Sequence, residues 1–466
     1  MKKTLTSFLI VVFFFSAKML SAQKPNVLLI ITDQHSGLVT TQRGYPYITT
    51  PGIDKIASNG VAFTRSYTTY PVCTSMRASL ITGVMPSKSV PNLTDYTSIG
   101  AKAKEAGYAT AYYGKWHVAH SKMNKVEEWH GFEVYDDMRQ DTEIKNKSVE
   151  YLKRQHNKPF FMVTSFLNPH NCCELARNMA GLKKGIRYTD GAVEENMTID
   201  QCPPLPDNFA IPKGEAEGFY CRRTPDSTNV TQYGKHPVKY WDDDRWRQYM
   251  YGYDRLVEKV DAHVLDIINT LEAQGLLENT LVIYTSDHGD GHASHQWNQK
   301  MTFYEESVNV PFVVSWKGKT KAGIIDKQTL VANTLDIYAT LCQLMEVEYD
   351  SEKQGLDILP STLKKSSAKP LPRAYVVSEI NQHTKKGGHS VTFVGRMIVT
   401  EYYKYILFDS GENREQFFDL RKDVGEMKNV NSKSKYQKAL QEHRAMLKEW
   451  IQLTDDEFKI SDIPQV

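Results

Sequence analysis

The sequence predicts an α/β fold: a large, mostly parallel sheet flanked by helices on both faces, plus a smaller C-terminal α+β subdomain with a short antiparallel sheet. Two observations support the large sheet. Short apolar runs alternate along the chain with segments of helical periodicity, and the runs are almost continuously apolar, as expected for strands covered on both faces. The predicted strands are 27–32, 109–113, 160–166, 281–286 and 311–316.

Helical patterns fill the intervals between these strands. Residues 98–106 form one predicted helix that ends at Gly107, and 335–344 form another. The segment 246–273 is predicted to pack on the sheet, because apolar side chains recur at spacings of three or four. Those side chains are Tyr253, Leu256, Val257, Val260, Val264, Ile268 and Leu271. Periodicity fails over 171–244, where prolines interrupt the chain, so we expect a loop-rich insertion there.

The C-terminal subdomain is predicted from a change of pattern. A polar, linker-like stretch at 364–372 is followed by alternating runs at 375–380, 390–400 and 404–408, which are typical of antiparallel strands. An amphipathic helix at 435–451 presents Leu440, Met446, Leu447 and Trp450 to them. The expected division is therefore a catalytic domain over 23–365 and a C-terminal subdomain over 366–466.

The first 22 residues have the pattern of a secretory signal peptide. Lys2 and Lys3 precede an apolar run at 8–15, and 20–22 is a small-residue cleavage site that ends at Ala22. The apolar run is shorter than the roughly 20 residues that span a bilayer, so no membrane span is expected after cleavage. We therefore expect export, either to a periplasm or out of the cell.

Composition narrows the classes of partner. The chain has 466 residues with 57 basic and 55 acidic side chains, and its formal charge of +2 gives no electrostatic basis for binding nucleic acid.

Of its 6 cysteines, Cys202 and Cys221 either pair across the insertion or remain free. The adjacent Cys172 and Cys173 are expected as free thiols, and Cys342 as a small buried side chain.

Polar residues follow several predicted strands at the points where those strands end. Asp33 follows the first strand, Lys115 and His117 the second, His170 the third, and Asp287 with His288 the fourth. Ligand sites in open α/β sheets lie beyond the carboxyl ends of the strands. These side chains are therefore predicted to converge.

Four sequence blocks in this order resemble the type I, formylglycine-dependent sulfatases. They are Asn26-Val27-Leu28-Leu29-Ile30-Ile31-Thr32-Asp33-Gln34, the segment 73–83 beginning Cys73-Thr74-Ser75-Met76-Arg77, Gly114-Lys115-Trp116-His117, and Ser286-Asp287-His288-Gly289-Asp290. The chain departs from the family pattern twice. The family usually has Pro or Ala followed by Ser where this chain has Ser75-Met76, and it usually has a second Asp where this chain has Gln34.

The resemblance implies a nucleophile and a metal site. Cys73 would be oxidised to formylglycine by a maturation enzyme, and the hydrated aldehyde would supply the attacking hydroxyl. The implied metal ligands are Asp33, Gln34, Cys73, Asp287 and His288. Such an oxygen-rich set suits Ca²⁺, with Mg²⁺ as the alternative.

The resemblance also implies cations and proton carriers. Arg77, Lys115 and Lys300 would stabilise the sulfuryl oxygens and the diol. His117 would assist release of sulfate, while His170 would face the leaving-group oxygen and His295 would lie near the leaving group.

The expected function is hydrolysis of sulfate monoesters by an exported sulfatase, with O-sulfate groups on carbohydrates such as glycosaminoglycans as the substrate class. Two alternatives stay open. One is phosphonate monoester or phosphodiester hydrolysis on the same scaffold. The other is a catalytically silent protein that binds sulfated glycans, because Ser75 and Met76 depart from the maturation signal.

Overall fold

The computed structural model describes residues 24–179, 197–220, 241–349, 354–365, 373–386 and 389–464. The expected signal peptide at 1–22 lies outside these residues, as do Cys221, parts of the expected insertion and most of the linker-like stretch.

The described chain contains these strands: β1 Asn26–Asp33, β2 Gly60–Phe63, β3 Ser66–Tyr67, β4 Ala109–Gly114, β5 Val134–Asp136, β6 Phe160–Pro169, β7 Thr280–Ser286, β8 Phe312–Ser315, β9 Ile324–Asp326, β10 Val331–Ala332, β11 Val376–Lys386, β12 His389–Val399, β13 Tyr403–Phe408 and β14 Glu415–Asp419. Its α-helices are α1 Pro51–Ser58, α2 Cys73–Thr82, α3 Pro86–Ser89, α4 Ile99–Glu105, α5 Glu127–His130, α6 Asp141–Leu152, α7 Cys172–Met179, α8 Glu217–Tyr220, α9 Asp243–Ala273, α10 Glu305–Val308, α11 Asn333–Met345, α12 Leu359–Thr362 and α13 Gln437–Thr454.

The main sheet has eight strands in the order β5-β4-β6-β1-β7-β8-β2-β9. The run from β5 to β7 is parallel throughout, whereas β8 is antiparallel to both of its neighbours, β7 and β2. The predicted mostly parallel sheet is therefore confirmed. The direction of β8 was not predicted, because a buried apolar run has the same composition in either orientation.

Alternate residues of β1 enter separate cores on the two faces of the sheet, as the two-residue period of a strand requires. Leu28 and Ile30 pack with side chains of α1, α6 and α9. Leu29 and Ile31 pack on the opposite face with side chains of α2, α4 and α11. Helices on both faces are thus also confirmed, and β1 lies fully buried between them.

The C-terminal strands β11 to β14 form an antiparallel sheet in sequence order, against which α13 packs through Leu440, Leu447 and Trp450. Lys404 of β13 connects this sheet to the catalytic domain. Its buried ammonium group lies 2.8 Å from Glu305 and 2.7 Å from Glu426, and it donates to the Phe303 carbonyl at 2.9 Å. The C-terminal sheet therefore supports the loop that follows Lys300.

Five cysteines of the described chain carry free thiols, including Cys172, Cys173 and Cys202. Among the described helices, not one combines the length and apolar character that crossing a membrane requires.

Candidate active site

The strands that carry the predicted site residues are four neighbours in the sheet, β4-β6-β1-β7, and all run in the same direction. Their carboxyl ends consequently share one edge. Asp33 is the last residue of β1, and Lys115, His170 and Asp287 directly follow β4, β6 and β7. The structure therefore brings these four residues together, although as many as 254 positions separate them in the sequence.

Cys73 is the first residue of α2 and is only 4% exposed. The helix is preceded by Val72, whose side chain makes no hydrogen bond to the first N–H groups of the helix. The thiol lies 3.3 Å from His117 Nδ1 and 3.7 Å from Lys300 Nζ. Burial alone would raise the pKa of the Cys73 thiol, but Lys115 and Lys300 outweigh burial and hold this pKa well below its usual value.

Arg77, one turn after Cys73, is buried and fully engaged with protein groups. Its Nε donates to Asp287 at 3.0 Å, and a terminal nitrogen lies 3.4 Å from Asp33. The other terminal nitrogen donates to the Lys115 carbonyl and to Ser165 Oγ, both at 2.7 Å. Arg77 therefore orients the two carboxylates, and its implied contact with the sulfuryl oxygens stays a prediction.

Two buried atoms near Asp287 could bind a metal and have no hydrogen-bond partner within the described chain. Asp33 Oδ1 and His288 Nε2 make no hydrogen bond within the described chain, and they lie 3.8 Å from each other. His288 Nδ1 is 2.9 Å from the Gly289 carbonyl, which assigns the proton to Nδ1 and leaves the lone pair on Nε2.

The same cluster fits a divalent cation. One ligand atom each from Cys73, Asp287 and His288 lies within 4.8 Å of the others. Asp33 Oδ1, 3.8 Å from His288 Nε2, adds a second carboxylate oxygen, and carboxylate oxygens are the ligands that Ca²⁺ and Mg²⁺ prefer. Orphaned buried acceptors are costly unless a cation or a proton satisfies them, so the residues present suit the metal that the resemblance implied.

Gln34 has a left-handed backbone conformation, with φ of 75°, and its backbone N–H donates to Asp287 Oδ1 at 3.0 Å. Its side-chain nitrogen donates to Asp290 at 2.7 Å, while its side-chain oxygen lies 3.3 Å from Lys300 Nζ. The oxygen therefore faces Lys300 and the side of the site that holds Cys73.

Two buried cations flank the carboxylates. Lys115 Nζ contacts Asp33 Oδ2 directly, and Lys300 Nζ lies between Gln34 and Cys73. Burial would raise the pKa of the Asp33 carboxyl, but nearby positive charge, above all Lys115, holds this pKa well below its usual value. Asp33 is consequently an anion at neutral pH.

The three predicted histidines have different positions. His117 is exposed and adjoins Cys73, and His170 Nε2 lies 4.0 Å from Cys173 on the side of Gln34. His295 instead stacks on Tyr304 with ring centroids 3.8 Å apart, and its Nε2 lies 3.3 Å from Asn208 and 3.8 Å from Glu306. The His295 ring therefore belongs to a buried cluster with Asn208, Tyr304 and Glu306, and its predicted place near the leaving group stays a prediction.

Several residues of the site were not predicted. Ser165 binds Arg77, Asp290 binds Gln34, and Cys173 donates to Gln299 at 2.8 Å beside Gln34. Ser165 interrupts the apolar run of β6 near its end, and Asp290 closes the last sequence block, so both positions carried a signal. The partners named here, however, lie at least 88 residues away in the sequence.

Comparison with known proteins agrees with this geometry. The Sulfatase family model matches residues 25–347, and a model described as N-sulphoglucosamine sulphohydrolase, C-terminal, matches residues 293–453. A Delta 4,5-hexuronate-2-O-sulfatase of Bacteroides thetaiotaomicron is 31% identical, over 94% of this chain and 91% of that protein. An N-acetylglucosamine-6-O-sulfatase of the same organism is 25% identical, over 94% and 88%.

A solved structure of a 2-O GAG sulfatase superimposes with a TM-score of 0.78 at 28% identity, covering 94% of each chain. The same assignment follows from the sequence blocks, from the convergent strand ends and from these matches over most of the chain. The chain belongs to the sulfatase family, within the alkaline-phosphatase-like superfamily, and is a sulfuric ester hydrolase.

Proposed function

We propose that this chain is an exported enzyme that hydrolyses O-sulfate esters on carbohydrates, with a nucleophile derived from Cys73. The observation that carries the proposal is the position of Cys73. It begins α2, adjoins His117 and Lys300, and shares a cluster with Asp287 and His288.

The proposed substrate class is a sulfated glycosaminoglycan fragment. Both relatives named above act, by their names, on sulfated sugar residues, and the solved neighbour is named a 2-O GAG sulfatase. The first substrates to test are therefore disaccharides with a 2-O-sulfated, unsaturated uronate, beside disaccharides sulfated only at position 6 of the hexosamine.

We propose that a maturation enzyme converts Cys73 to formylglycine, whose hydrate supplies the attacking hydroxyl. His117 Nδ1, 3.3 Å from the Cys73 side chain, is placed to accept a proton from the group at this position. Met76, which departs from the usual maturation signal, is completely buried in the core that includes α2. Packing therefore accounts for an apolar residue there.

A Ca²⁺ or Mg²⁺ ion held by Asp33, Gln34, Asp287, His288 and residue 73 would supply Lewis-acid stabilisation of the sulfate oxygens. Lys115 and Lys300 add positive charge beside residue 73, where it favours the anionic form of the nucleophile and attracts the sulfuryl oxygens that approach it. His170, at the end of β6, is the candidate proton donor to the departing alcohol. Burial of both lysines keeps water from weakening these charges.

Mass spectrometry of the peptide containing residue 73 tests the nucleophile directly, after expression in a host with the maturation enzyme. We expect the mass of an aldehyde in place of the thiol. Desulfation of the disaccharides should then be lost in Cys73→Ala and fall strongly in Lys115→Ala and His117→Ala. Cys342→Ala removes a buried thiol from α11 and is the matched control, which should retain activity.

Two results would lead to the alternatives. An unmodified Cys73 thiol, together with binding of sulfated glycans, would assign the chain as a catalytically silent protein that binds these glycans. Faster turnover of an aryl phosphonate than of any sulfate ester would assign phosphonate monoester hydrolysis instead. Export is tested separately, by fractionating cells that produce the full chain and locating the protein and its new N-terminus.

A further inference from the structure

The side chain of Gln34 has one oxygen and one NH₂ group, and its neighbours determine which of them faces Lys300 and the Cys73 side of the site. The nitrogen donates to Asp290 Oδ2 at 2.7 Å, and the oxygen lies 3.3 Å from Lys300 Nζ. Rotating the amide by half a turn would place its oxygen against a carboxylate and its NH₂ against an ammonium group. Both contacts would be repulsive, so the observed orientation is strongly favoured.

Asp290 is completely buried and is itself held by several donors. The Tyr249 hydroxyl lies 3.0 and 2.9 Å from its two oxygens. The backbone N–H groups of His292 and Gln299 donate to one oxygen each, at 2.8 and 2.9 Å. These donors come from α9 and from the loop after β7, so the carboxylate has a fixed position and presents an acceptor to Gln34.

We propose that Asp290 is a positioning residue that holds the side-chain oxygen of Gln34 toward the metal-binding cluster. The inference rests on the metal-dependent activity proposed above and adds a residue to its machinery. Asp290 acts through Gln34 rather than by touching the ion or the substrate. Hydrogen bonds of this kind orient the ligands of many metal sites, and losing one typically weakens metal affinity by about 10- to 100-fold.

The pairing also accounts for an amide rather than a carboxylate at position 34 of this chain. A carboxylate at position 34 that reached Asp290 would face another carboxylate at hydrogen-bonding distance, and because both positions are completely buried, bulk solvent would screen the repulsion little. With Asp290 fixed by its donors, a neutral side chain that both donates and accepts is favoured at position 34.

The test is a double-mutant cycle on calcium affinity. The mature protein is freed of metal with a chelator and titrated with CaCl₂, and in parallel with MgCl₂, by isothermal calorimetry. The variants are Asp290→Asn, Gln34→Leu and the double variant, each compared with the wild-type chain. We expect Asp290→Asn to raise the Kd for calcium about 10- to 100-fold, and the double variant to bind no more weakly than Gln34→Leu alone.

Activity gives a second readout. At saturating calcium, kcat of Asp290→Asn should return close to the wild-type value, whereas below saturation turnover should fall. Wild-type calcium affinity in Asp290→Asn, or losses that multiply in the double variant, would overturn the proposal. Sulfatase turnover by the wild-type chain in the same preparation would then show that the proposed function stands without it. A wild-type chain that bound neither metal would overturn both the positioning role and the metal part of the function.

Asp290→Asn risks misfolding, because an amide there places an NH₂ group against a backbone N–H whichever way it turns. Circular dichroism identifies that case, and Tyr249→Phe then replaces it in the cycle, since this change removes one donor to Asp290 and keeps the carboxylate. We expect a smaller loss of calcium affinity that disappears in the Gln34→Leu background. A loss that persisted there, or no loss at all, would refute the positioning role.

Discussion

Arg77→Met should destabilise the protein strongly, and most strongly without metal. The guanidinium is buried between Asp33 and Asp287, which are themselves completely buried. Removing one partner of a buried ion pair leaves an uncompensated charge and typically costs about 3–5 kcal/mol. Two carboxylates lose their shared cation here, which favours the upper part of that range, and Met keeps most of the apolar volume.

Calcium should reduce this loss, because a dication beside Asp33 and Asp287 replaces part of the missing positive charge. We would measure stability by pulse proteolysis across a denaturant series, with calcium and with chelator. Arg154→Met is the matched control, since Arg154 forms a solvent-exposed pair with Glu150, and such pairs contribute little to stability. A loss below about 1 kcal/mol for Arg77→Met in chelator would refute the assignment of Arg77 as the clamp of the two carboxylates.

Four further outcomes follow from the structure. Lys300→Met should lower kcat/KM about 100-fold with an unchanged circular dichroism spectrum, since one stabilising cation contributes about 3 kcal/mol to such transition states; unchanged kinetics would exclude Lys300 from the site. Calcium at 100 times its Kd should stabilise the protein by about 2.7 kcal/mol, and a denaturation midpoint insensitive to calcium would argue against the metal site. Gly289→Ala should destabilise by about 3 kcal/mol, because its Cβ would meet the Glu306 carbonyl oxygen at 1.9 Å; normal stability would show that the loop adjusts. Burial lowers the pKa of His443 in the folded protein, so its neutral ring contributes to the free energy of unfolding above the unfolded pKa of about 6.5, and this contribution is lost as the pH falls below that value. His443→Gln should flatten this dependence of stability on pH. An unchanged dependence would assign the acid sensitivity to other groups.

The positions of site residues were best predicted from the sequence where the parallel strands of the sheet determine them. Asp33, Lys115 and Asp287 follow strands that are parallel neighbours, so predicting where each strand ended was enough to predict their convergence. The strand at β8 was predicted from its apolar run, but its antiparallel direction left no comparable signal, and neither did the short strand β9. Ile324 and Ile325 of β9 are both largely exposed, which removes the alternation expected of a half-buried strand.

The loop between β7 and α10 was the least predictable part of the site. His292, His295 and Gln299 all have left-handed backbone angles, which helical and strand periodicities do not describe. The ring of His295 consequently has neighbours that its spacing from Lys300 did not indicate. Asp290 and Ser165 acquire their roles from Gln34 and Arg77, and such pairings depend on tertiary structure alone.

The burial of Cys73 has a consequence for the order of events in biosynthesis. Its thiol is covered on one side by Lys300, which is translated 227 residues later, and the loop bearing Lys300 is in turn supported by Lys404 of the C-terminal sheet. If a protein catalyst converts residue 73, as proposed above, it would need access to the segment around this residue before α2 has docked. The proposed conversion would therefore have to precede completion of the fold, and protein purified with an unaltered thiol would have to be unfolded before such a catalyst could act.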